Sequence, residues 1–134
     1  MMGDETNEGL IQFICNEILK RADKEVNKEN CCSKYELTVS MFELYNEKIQ
    51  DLFLDPNNRV KSGLKVHQNP ILGVFVGNLS KVSITSTKTL QLQLDIGNTN
   101  KALGVMRMNS KTSDGYTICE LIFKQYYLVL YIRT

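Results

Sequence analysis

Few side chains in this sequence combine a reactive type with the spacing of a catalytic or metal-binding group. The only histidine, His67, has no serine, cysteine or carboxylate at a spacing that suggests catalysis. Four cysteines are present, at positions Cys15, Cys31, Cys32 and Cys119. They lack the C-x-x-C spacing of a zinc site, and the adjacent pair could form a disulfide only with strain. We therefore expect free thiols and no metal centre built from cysteine.

Composition limits the classes of protein that this chain can represent. Its 134 residues amount to one domain, with 43% hydrophobic and 23% charged residues, as in ordinary globular domains. The net charge of +1 is too small to indicate nucleic-acid binding. No apolar run approaches the roughly 20 residues of a membrane span. The acidic start, MMGDETNEG, is unlike a secretory signal. These features predict a cytoplasmic protein without a membrane span.

The apolar pattern of residues 35–53 changes its period partway along. In the first half, apolar residues alternate with polar ones, as on one face of a strand: Tyr35, Leu37, Val39 and Met41. In the second half, they recur at intervals of three and four, as on one side of a helix: Tyr45, Ile49, Leu52 and Phe53. The pattern predicts a strand that feeds directly into a short helix.

The segments before and after this stretch predict further elements. An amphipathic stripe predicts a helix over residues 10–22. Residues 23–34 are charged and amide-rich, which predicts an exposed loop, and residues 55–58 carry a turn signal.

Strands are predicted in the second half of the chain. Residues 64–67 and 74–79 form a candidate hairpin, with residues 81–84 as an extension of its second strand. Residues 116–123 are apolar on both faces except for Glu120, which is typical of an interior strand.

Four segments in the right order resemble the kinesin motor domain, nearest its vesicle-transporting branch. The segment S-M-F-E-L-Y-N-E-K-I-Q-D-L is similar to the family's V-S-(Y/F)-x-E-I-Y-N-E-x-(I/V)-x-D-L-L. MMGDETNEGLI resembles the stretch that leads to G-(I/L)-I-P-R, and LKVHQNPILGVFVGNLSKVSITS resembles the paired strands around a microtubule-facing loop. LDIGNTNKALGVMRMNS resembles the approach to the first nucleotide-sensing switch. The resemblance covers residues 1–123.

The resemblance implies an α/β fold of the kinesin, P-loop NTPase type. This is a mostly parallel sheet with flanking helices, from which several central strands are missing here, so that one side of the sheet is open. We expect residues 1–124 to be a partial motor domain and the β-prone, apolar residues 125–134 to be a tail foreign to the family. Such a product would self-associate or aggregate, unless the tail covers the open edge.

The resemblance also decides the structure of residues 87–96. Thr85 and Ser86 offer a helix N-cap, and Gly97 with Asn98 offers a stop. The leucines between them alternate with polar residues, which by period alone predicts a strand. Because the family has a helix here, we predict a helix that ends at Gly97.

The cofactors implied by the family are ATP and magnesium, yet the motifs that hold them are incomplete. The sequence contains no phosphate loop G-x-x-x-x-G-K-(S/T) and no second switch D-L-A-G-S-E. By the alignment, the phosphate loop would end a few residues upstream of Met1.

The first switch, N-x-x-S-S-R-S-H in the family, is N-S-K-T-S-D-G-Y at residues 109–116. Three positions keep suitable groups, of which the last would be the magnesium ligand: Asn109, Thr112 and Ser113. Three others depart from the family: Asp114 for Arg, Gly115 for Ser and Tyr116 for His. Asp114 reverses the charge that pairs with the second switch. A plain polar loop is therefore favoured over a working nucleotide site.

The implied partner is the microtubule. Four residues in or near the microtubule-facing loop are candidates for contact with the acidic surface of tubulin: Lys65, His67, Asn69 and Lys81. For each of them taken singly, a solvated surface residue is the favoured description. Contacts of this kind would weaken with salt.

Three functions remain open at this point. The chain could be a motor-domain fragment without ATPase activity of its own that retains weak microtubule affinity. It could belong to a competent ATP-hydrolysing motor if it is a piece of a longer product. It could also be a non-motor protein that binds a partner through its open sheet.

Overall fold

The computed structural model describes residues 9–26, 34–71, 73–107 and 115–126. These form two helices and six strands. In chain order they are α1 (Leu10–Val26), β1 (Lys34–Tyr45), β2 (Lys48–Asp51), β3 (Val66–Asn69), β4 (Gly73–Val76), β5 (Val82–Ser83), α2 (Thr87–Arg107) and β6 (Tyr116–Tyr126).

The predicted first helix is confirmed and is one turn longer than its apolar stripe. Cys15, Leu19 and Ala22 are buried at intervals of four and three, so a single face of α1 packs on the sheet. Residues 23–26, which were predicted as part of a loop, therefore belong to α1, and residues 27–33 lie outside the described part.

The helix predicted after Tyr45 is wrong, because the chain reverses there in a β-hairpin. Asn46 and Glu47 have positive φ angles of 48° and 60°, and Tyr45 pairs with Lys48 across the turn. A two-residue hairpin loop of this kind needs both central residues in the left-handed region, which Asn adopts more readily than most residues. The helix-like spacing arose because its members lie on both sides of this turn and beyond β2.

Strand β1 is the centre of the main sheet. β6 pairs with it along one edge, from Lys34–Tyr126 to Leu44–Tyr116. β2 and β5 share the opposite edge, β2 at the end of β1 and β5 at Thr38 and Val39.

All strand pairs among the described residues are antiparallel, so the expected mostly parallel pairing is wrong for this part of the chain. The reason lies in the path of α2, which leads from β5 to β6. These two strands run parallel to each other, but β1 lies between them with the opposite direction.

The second helix begins as predicted but does not stop at Gly97. Ser86 caps it, since its Oγ accepts a hydrogen bond from the Thr89 backbone N–H at 3.2 Å. Gly97 lies in the helix interior, where an added Cβ would collide with the Met41 sulfur. The glycine therefore allows close packing of α2 on β1, and the helix continues for ten more residues to Arg107.

The puzzling alternation of apolar residues in α2 reflects two opposite faces. Leu90 and Leu94 are buried against the sheet, whereas Leu92 and Ile96 are exposed. Residues two apart on a helix lie about 200° apart, so alternation splits them between the two sides.

The hydrophobic core lies between the helices and one face of the sheet. It contains Cys15, Leu19, Leu37, Val39, Met41, Leu52, Ile84, Leu90 and Leu94. The helices that the structure describes include none long and apolar enough to cross a membrane.

The predicted hairpin at residues 64–79 is confirmed as β3 and β4, with strand bounds narrower than expected. Residues 81–84 do not extend it. Val82 and Ser83 instead form β5 on the edge of β1. The predicted strand at residues 116–123 is also confirmed and runs on to Tyr126.

Candidate functional site

The β3–β4 hairpin projects from the domain and packs against no other helix or strand in the described part of the chain. Its register places His67 opposite Phe75, with ring centroids 5.5 Å apart in a stacked arrangement. Gly77 lies beneath this histidine, because a Cβ there would be 2.6 Å from the imidazole. The stack and the glycine together fix the ring of His67 on one face of the hairpin.

The other face of the hairpin is apolar and open. Val66 pairs with Val76, and Val74 lies opposite Gln68 on the same face. Val74 is 69% exposed, and Ile71 in the connecting turn is 92% exposed. These side chains gain little by burial within the described residues, unlike the core side chains of β1.

Three of the four predicted microtubule-contact residues lie together on this hairpin. Lys65 directly precedes β3, and its carbonyl accepts a hydrogen bond from the Gly77 N–H at 2.9 Å. His67 and Asn69 lie two residues apart in β3 and so share a face. Lys81 is exposed but lies apart from them, beside β5.

Asn69 has a local structural role as well. Its Oδ1 accepts a hydrogen bond from the Ile71 N–H at 2.8 Å, which is the geometry of an Asx turn. The amide therefore shapes the hairpin turn, and it is half-buried rather than fully exposed.

The residues predicted for the nucleotide switch, Asn109, Thr112 and Ser113, lie outside the described residues. The structure does describe both ends of that segment, namely the last turns of α2 and the start of β6. A polar cluster joins these two ends.

This cluster is centred on Glu43 of β1, which is buried. Lys101 of α2 places its Nζ 3.7 Å from Glu43 Oε1 and donates a hydrogen bond to Thr117 Oγ1 at 2.7 Å. Gly115 packs so closely that an added Cβ would lie 2.5 Å from Glu43 Oε1. The glycine that departs from the family pattern is therefore in contact with a buried ion pair.

A second polar group lies where β2 ends. Asp51 is 1% exposed and accepts two backbone hydrogen bonds, from Phe53 N–H at 2.9 Å and from Ser80 N–H at 2.8 Å. Ser80 follows β4, so this carboxylate joins the end of β2 to the segment by which the chain leaves the hairpin.

Arg59 connects the loop after β2 to α2. Its Nε donates to the Leu54 carbonyl at 3.0 Å, and its Nη2 donates to the Asn100 carbonyl at 3.1 Å. Asn100 returns a hydrogen bond from Nδ2 to the Leu52 carbonyl at 3.0 Å. Burial lowers the pKa of Arg59, while nearby carboxylates, Asp51 foremost, oppose that shift.

The two cysteines in the described part are free, as predicted, and burial raises the pKa of both. Cys15 is in the core and Cys119 packs against it. Thiols of this kind are poor nucleophiles, since little thiolate is present near neutral pH. Among the described residues, no group of three or more candidate side chains could hold a metal ion.

Comparison with known proteins identifies the family. The model of the kinesin motor domain matches residues 1–129. The chain belongs to the kinesin motor domain family.

Curated relatives of this kinesin-family chain are much longer than the chain itself. It is 35% identical over 125 residues to Kinesin-related protein 1 of Dictyostelium discoideum, covering 93% of this chain and 6% of that protein. It is 34% identical over 121 residues to Kinesin-like protein KIF13B of Homo sapiens, covering 90% of this chain and 6% of that protein.

Solved kinesin structures share the fold. One described as a fast kinesin superposes with a TM-score of 0.79 at 25% identity, over 95% of this chain and 34% of that one. A KIF14 dimer with AMP-PNP in complex with a microtubule gives a TM-score of 0.74 at 31% identity, over 93% of this chain and 34% of that one. The chain thus spans about a third of these solved chains, and the expected kinesin-type α/β fold is confirmed.

Sequence reasoning located the hairpin but missed the two polar groups on β1 and at the end of β2. Glu43 and Asp51 were taken only as parts of the family motif. One signal was available: each lies in a predominantly apolar stretch, where a carboxylate needs a specific partner.

Proposed function

We propose that this chain is part of a microtubule-dependent kinesin motor and that its β3–β4 hairpin contacts tubulin. The observation that carries the proposal is the hairpin itself, which among the described elements packs on no other and presents Lys65 next to the stacked rings of His67 and Phe75. Support also comes from the KIF14 structures in complex with microtubules, to which nearly the whole chain is similar. In the cell it would act in the cytoplasm, on the microtubule cytoskeleton.

Charge gives this contact its expected character. Tubulin's surface is acidic, and Lys65 and Lys81 are exposed cations on and beside the hairpin. Exposed charges at the rim of an interface chiefly affect the rate of association and its salt dependence. The affinity should therefore fall as ionic strength rises.

Co-sedimentation of the 134-residue chain with microtubules at low and moderate salt tests this proposal. We expect saturable binding that weakens by roughly three- to tenfold when both Lys65→Gln and His67→Gln are introduced, since each rim contact is worth about 1 kcal/mol or less. Lys88→Gln is the matched control, because Lys88 is an exposed lysine in the first turn of α2 and not on the hairpin. Binding no better than that of an unrelated neutral protein would refute the proposal.

For nucleotide, we propose that these 134 residues bind no magnesium-ATP by themselves. The sequence has no G-x-x-x-x-G-K-(S/T) loop, and Asp114 stands where the family has a cationic residue. The segment with Asn109, Thr112 and Ser113, the last as the magnesium ligand, would contribute only one part of a site. Titration with a fluorescent ATP analogue in magnesium should show no saturation; micromolar saturable binding would contradict this.

The chain would belong to a competent ATPase if its gene product carries the missing motifs elsewhere. Sequencing the in-frame DNA upstream of the codon for Met1 distinguishes the two cases. A phosphate-loop motif there would support a complete motor, in which the present residues supply the first switch and the microtubule-facing hairpin.

A second candidate function is protein association through β6. Among the described residues this strand pairs only on the edge that faces β1. Over residues 116–124, no described strand lies on its other edge, and a strand edge of this kind is a template for another strand. Sedimentation velocity at several concentrations tests this: a reversible dimer supports it, and a monomer at all concentrations removes it.

A further inference from the structure

Two segments attach the hairpin to the body, namely the one that leads into β3 (its first leg) and the one that follows β4 (its second leg). β3 and β4 themselves contact no other element of the described structure. The orientation of the hairpin must therefore be set at those legs. Hydrogen bonds at the base of each leg reveal how this is done.

The first leg is held by a backbone hydrogen bond. Leu64 N–H donates to the Ile49 carbonyl of β2 at 2.8 Å, and the two residues form an isolated bridge. Gly63 makes this approach possible, with φ at 79° and an added Cβ only 3.1 Å from the Ile49 backbone. Because this contact joins backbone groups, the substitution of Gly63 should disturb it more than the substitution of a neighbouring side chain.

The second leg is held by a side chain. After β4, the Ser80 N–H donates to Asp51 Oδ2 at 2.8 Å. The other carboxylate oxygen of Asp51 accepts from Phe53 N–H at 2.9 Å, so both oxygens are engaged. A buried carboxylate that accepts two backbone hydrogen bonds is a rigid junction, because releasing either donor leaves a buried group unsatisfied.

The same junction lies next to the link to α2. The Arg59 guanidinium, whose charge Asp51 favours, bonds the Asn100 carbonyl of that helix. The second leg of the hairpin and the end of β2 thus meet at Asp51, and Arg59 links the loop that follows to the middle of α2.

We infer that Asp51 is the positioning residue that fixes the orientation of the β3–β4 hairpin for its partner. The inference rests on the proposed function for its consequence, the binding of microtubules, but the junction itself can be measured without them. Asp51 touches no partner; it acts through Ser80 and the leg that follows β4.

Asp51→Asn is the first test, in the full 134-residue chain. The amide keeps the size of the side chain but has one oxygen, so it can accept from only one of the two N–H groups and turns an NH₂ toward the other. We expect microtubule affinity to fall five- to tenfold. The dependence of affinity on salt should stay that of the parent, because the contacting cations are unchanged.

Two further variants separate positioning from loss of folding. Ser80→Pro removes the N–H donor and leaves Asp51 intact, so it should weaken binding to the same extent. Asp55→Asn is the matched control, because Asp55 is exposed and its Oδ1 accepts the Asn57 N–H of its own turn at 2.7 Å, a hydrogen bond that an amide oxygen can keep. This control should bind like the parent, and thermal unfolding monitored by circular dichroism should show that all the variants fold.

The decisive readout that does not need microtubules is hydrogen exchange at the Ser80 amide, followed by NMR. It should be protected in the parent and exchange at least tenfold faster in Asp51→Asn, while amides that pair β3 with β4 stay protected. Parent-like exchange at Ser80 in the variant would overturn the inference. If the parent chain binds microtubules, an unchanged affinity in Asp51→Asn would also overturn it. If the parent itself fails to bind, the proposed function falls and the exchange result alone decides the role of Asp51.

Discussion

The body of the domain and the β3–β4 hairpin are built by different means from similar residues. In the body, one valine, one leucine and one methionine of β1 are buried between the sheet and the two helices. In the hairpin, valines of the same strand-forming type lie exposed, and Val74 has 69% of its surface accessible to solvent. The difference teaches that strand propensity formed both, whereas burial stabilises only one of them.

What holds each region follows from this contrast. The body is stabilised by apolar area removed from water, which is roughly additive over many contacts. The hairpin is attached through a few hydrogen bonds at its legs, above all the one from the Ser80 N–H to Asp51. A segment held in this way can be reoriented by one substitution without unfolding the rest, which suits an element that meets a partner.

The contrast predicts its largest effect from truncation of a core leucine. Leu90→Ala should lower the free energy of unfolding by about 2–5 kcal/mol, because Leu90 is fully buried and the cavity cannot be filled. Val74→Ala, the matched change in the hairpin, should stay within about 0.5 kcal/mol. Urea unfolding measures both. Equal losses would show that the hairpin is packed after all.

The ion pair between Lys101 and Glu43 should give the next largest effect. Lys101→Met removes the cation 3.7 Å from Glu43, whose side chain is only 10% exposed, so we expect a loss of about 1–3 kcal/mol. Glu43→Gln added to this variant should recover part of the loss, since the buried charge is then gone. Lys88→Met controls for loss of a lysine from α2. A double variant no more stable than Lys101→Met would argue against the pairing.

Alkaline pH should act on the body through its thiols. Folding raises the pKa of Cys15 and Cys119 above the ordinary 9.0, so the unfolded state loses those protons first. Stability is then fully present below pH 9 and is lost as pH rises through the folded pKa, by at most about 1.4 kcal/mol per pH unit for each thiol. Urea unfolding across this range should show a shallower decline in a Cys15→Ala, Cys119→Ala variant. An identical decline would assign the effect to other groups, such as Tyr35.

The smallest effect distinguishes two glycines of α2. Gly97→Ala should lose about 1 kcal/mol, because overpacking against Met41 exceeds the gain in helix propensity. Gly104→Ala should gain about 0.5–1 kcal/mol, since its added Cβ would meet only the Arg59 guanidinium at an ordinary 3.4 Å. Thermal unfolding of both variants checks this, and opposite signs are the required outcome.

Local signals predicted much of this fold. The amphipathic face of α1, the Ser86 cap of α2 and the glycine-flanked hairpin all depend on residues close together in sequence. The helix predicted after Tyr45 failed for a local reason too, since two left-handed residues at Asn46 and Glu47 outweighed an apolar spacing. The stop predicted at Gly97 failed for a reason that lies far away in the sequence. Met41, 56 residues earlier, packs so closely on the helix that only a glycine fits at position 97.

The candidate site was predictable only in part. Lys65 and His67 were placed on the hairpin by pattern and resemblance, and the structure brings them together there. The residues behind the site were not found, because the bond from Ser80 to Asp51 and that from Lys101 to Thr117 join segments that no local pattern connects.

The sequence by itself determined the family of this chain and the presence of most of its helices and strands, since motifs, caps and turns are encoded by near neighbours. Only the tertiary structure decided that β1 is central with antiparallel neighbours, that one of two apolar faces of α2 is buried, and that Asp51 anchors the hairpin. Burial and pairing depend on groups far apart along the chain, and a lone carboxylate acquires its role only when folding brings its donors to it.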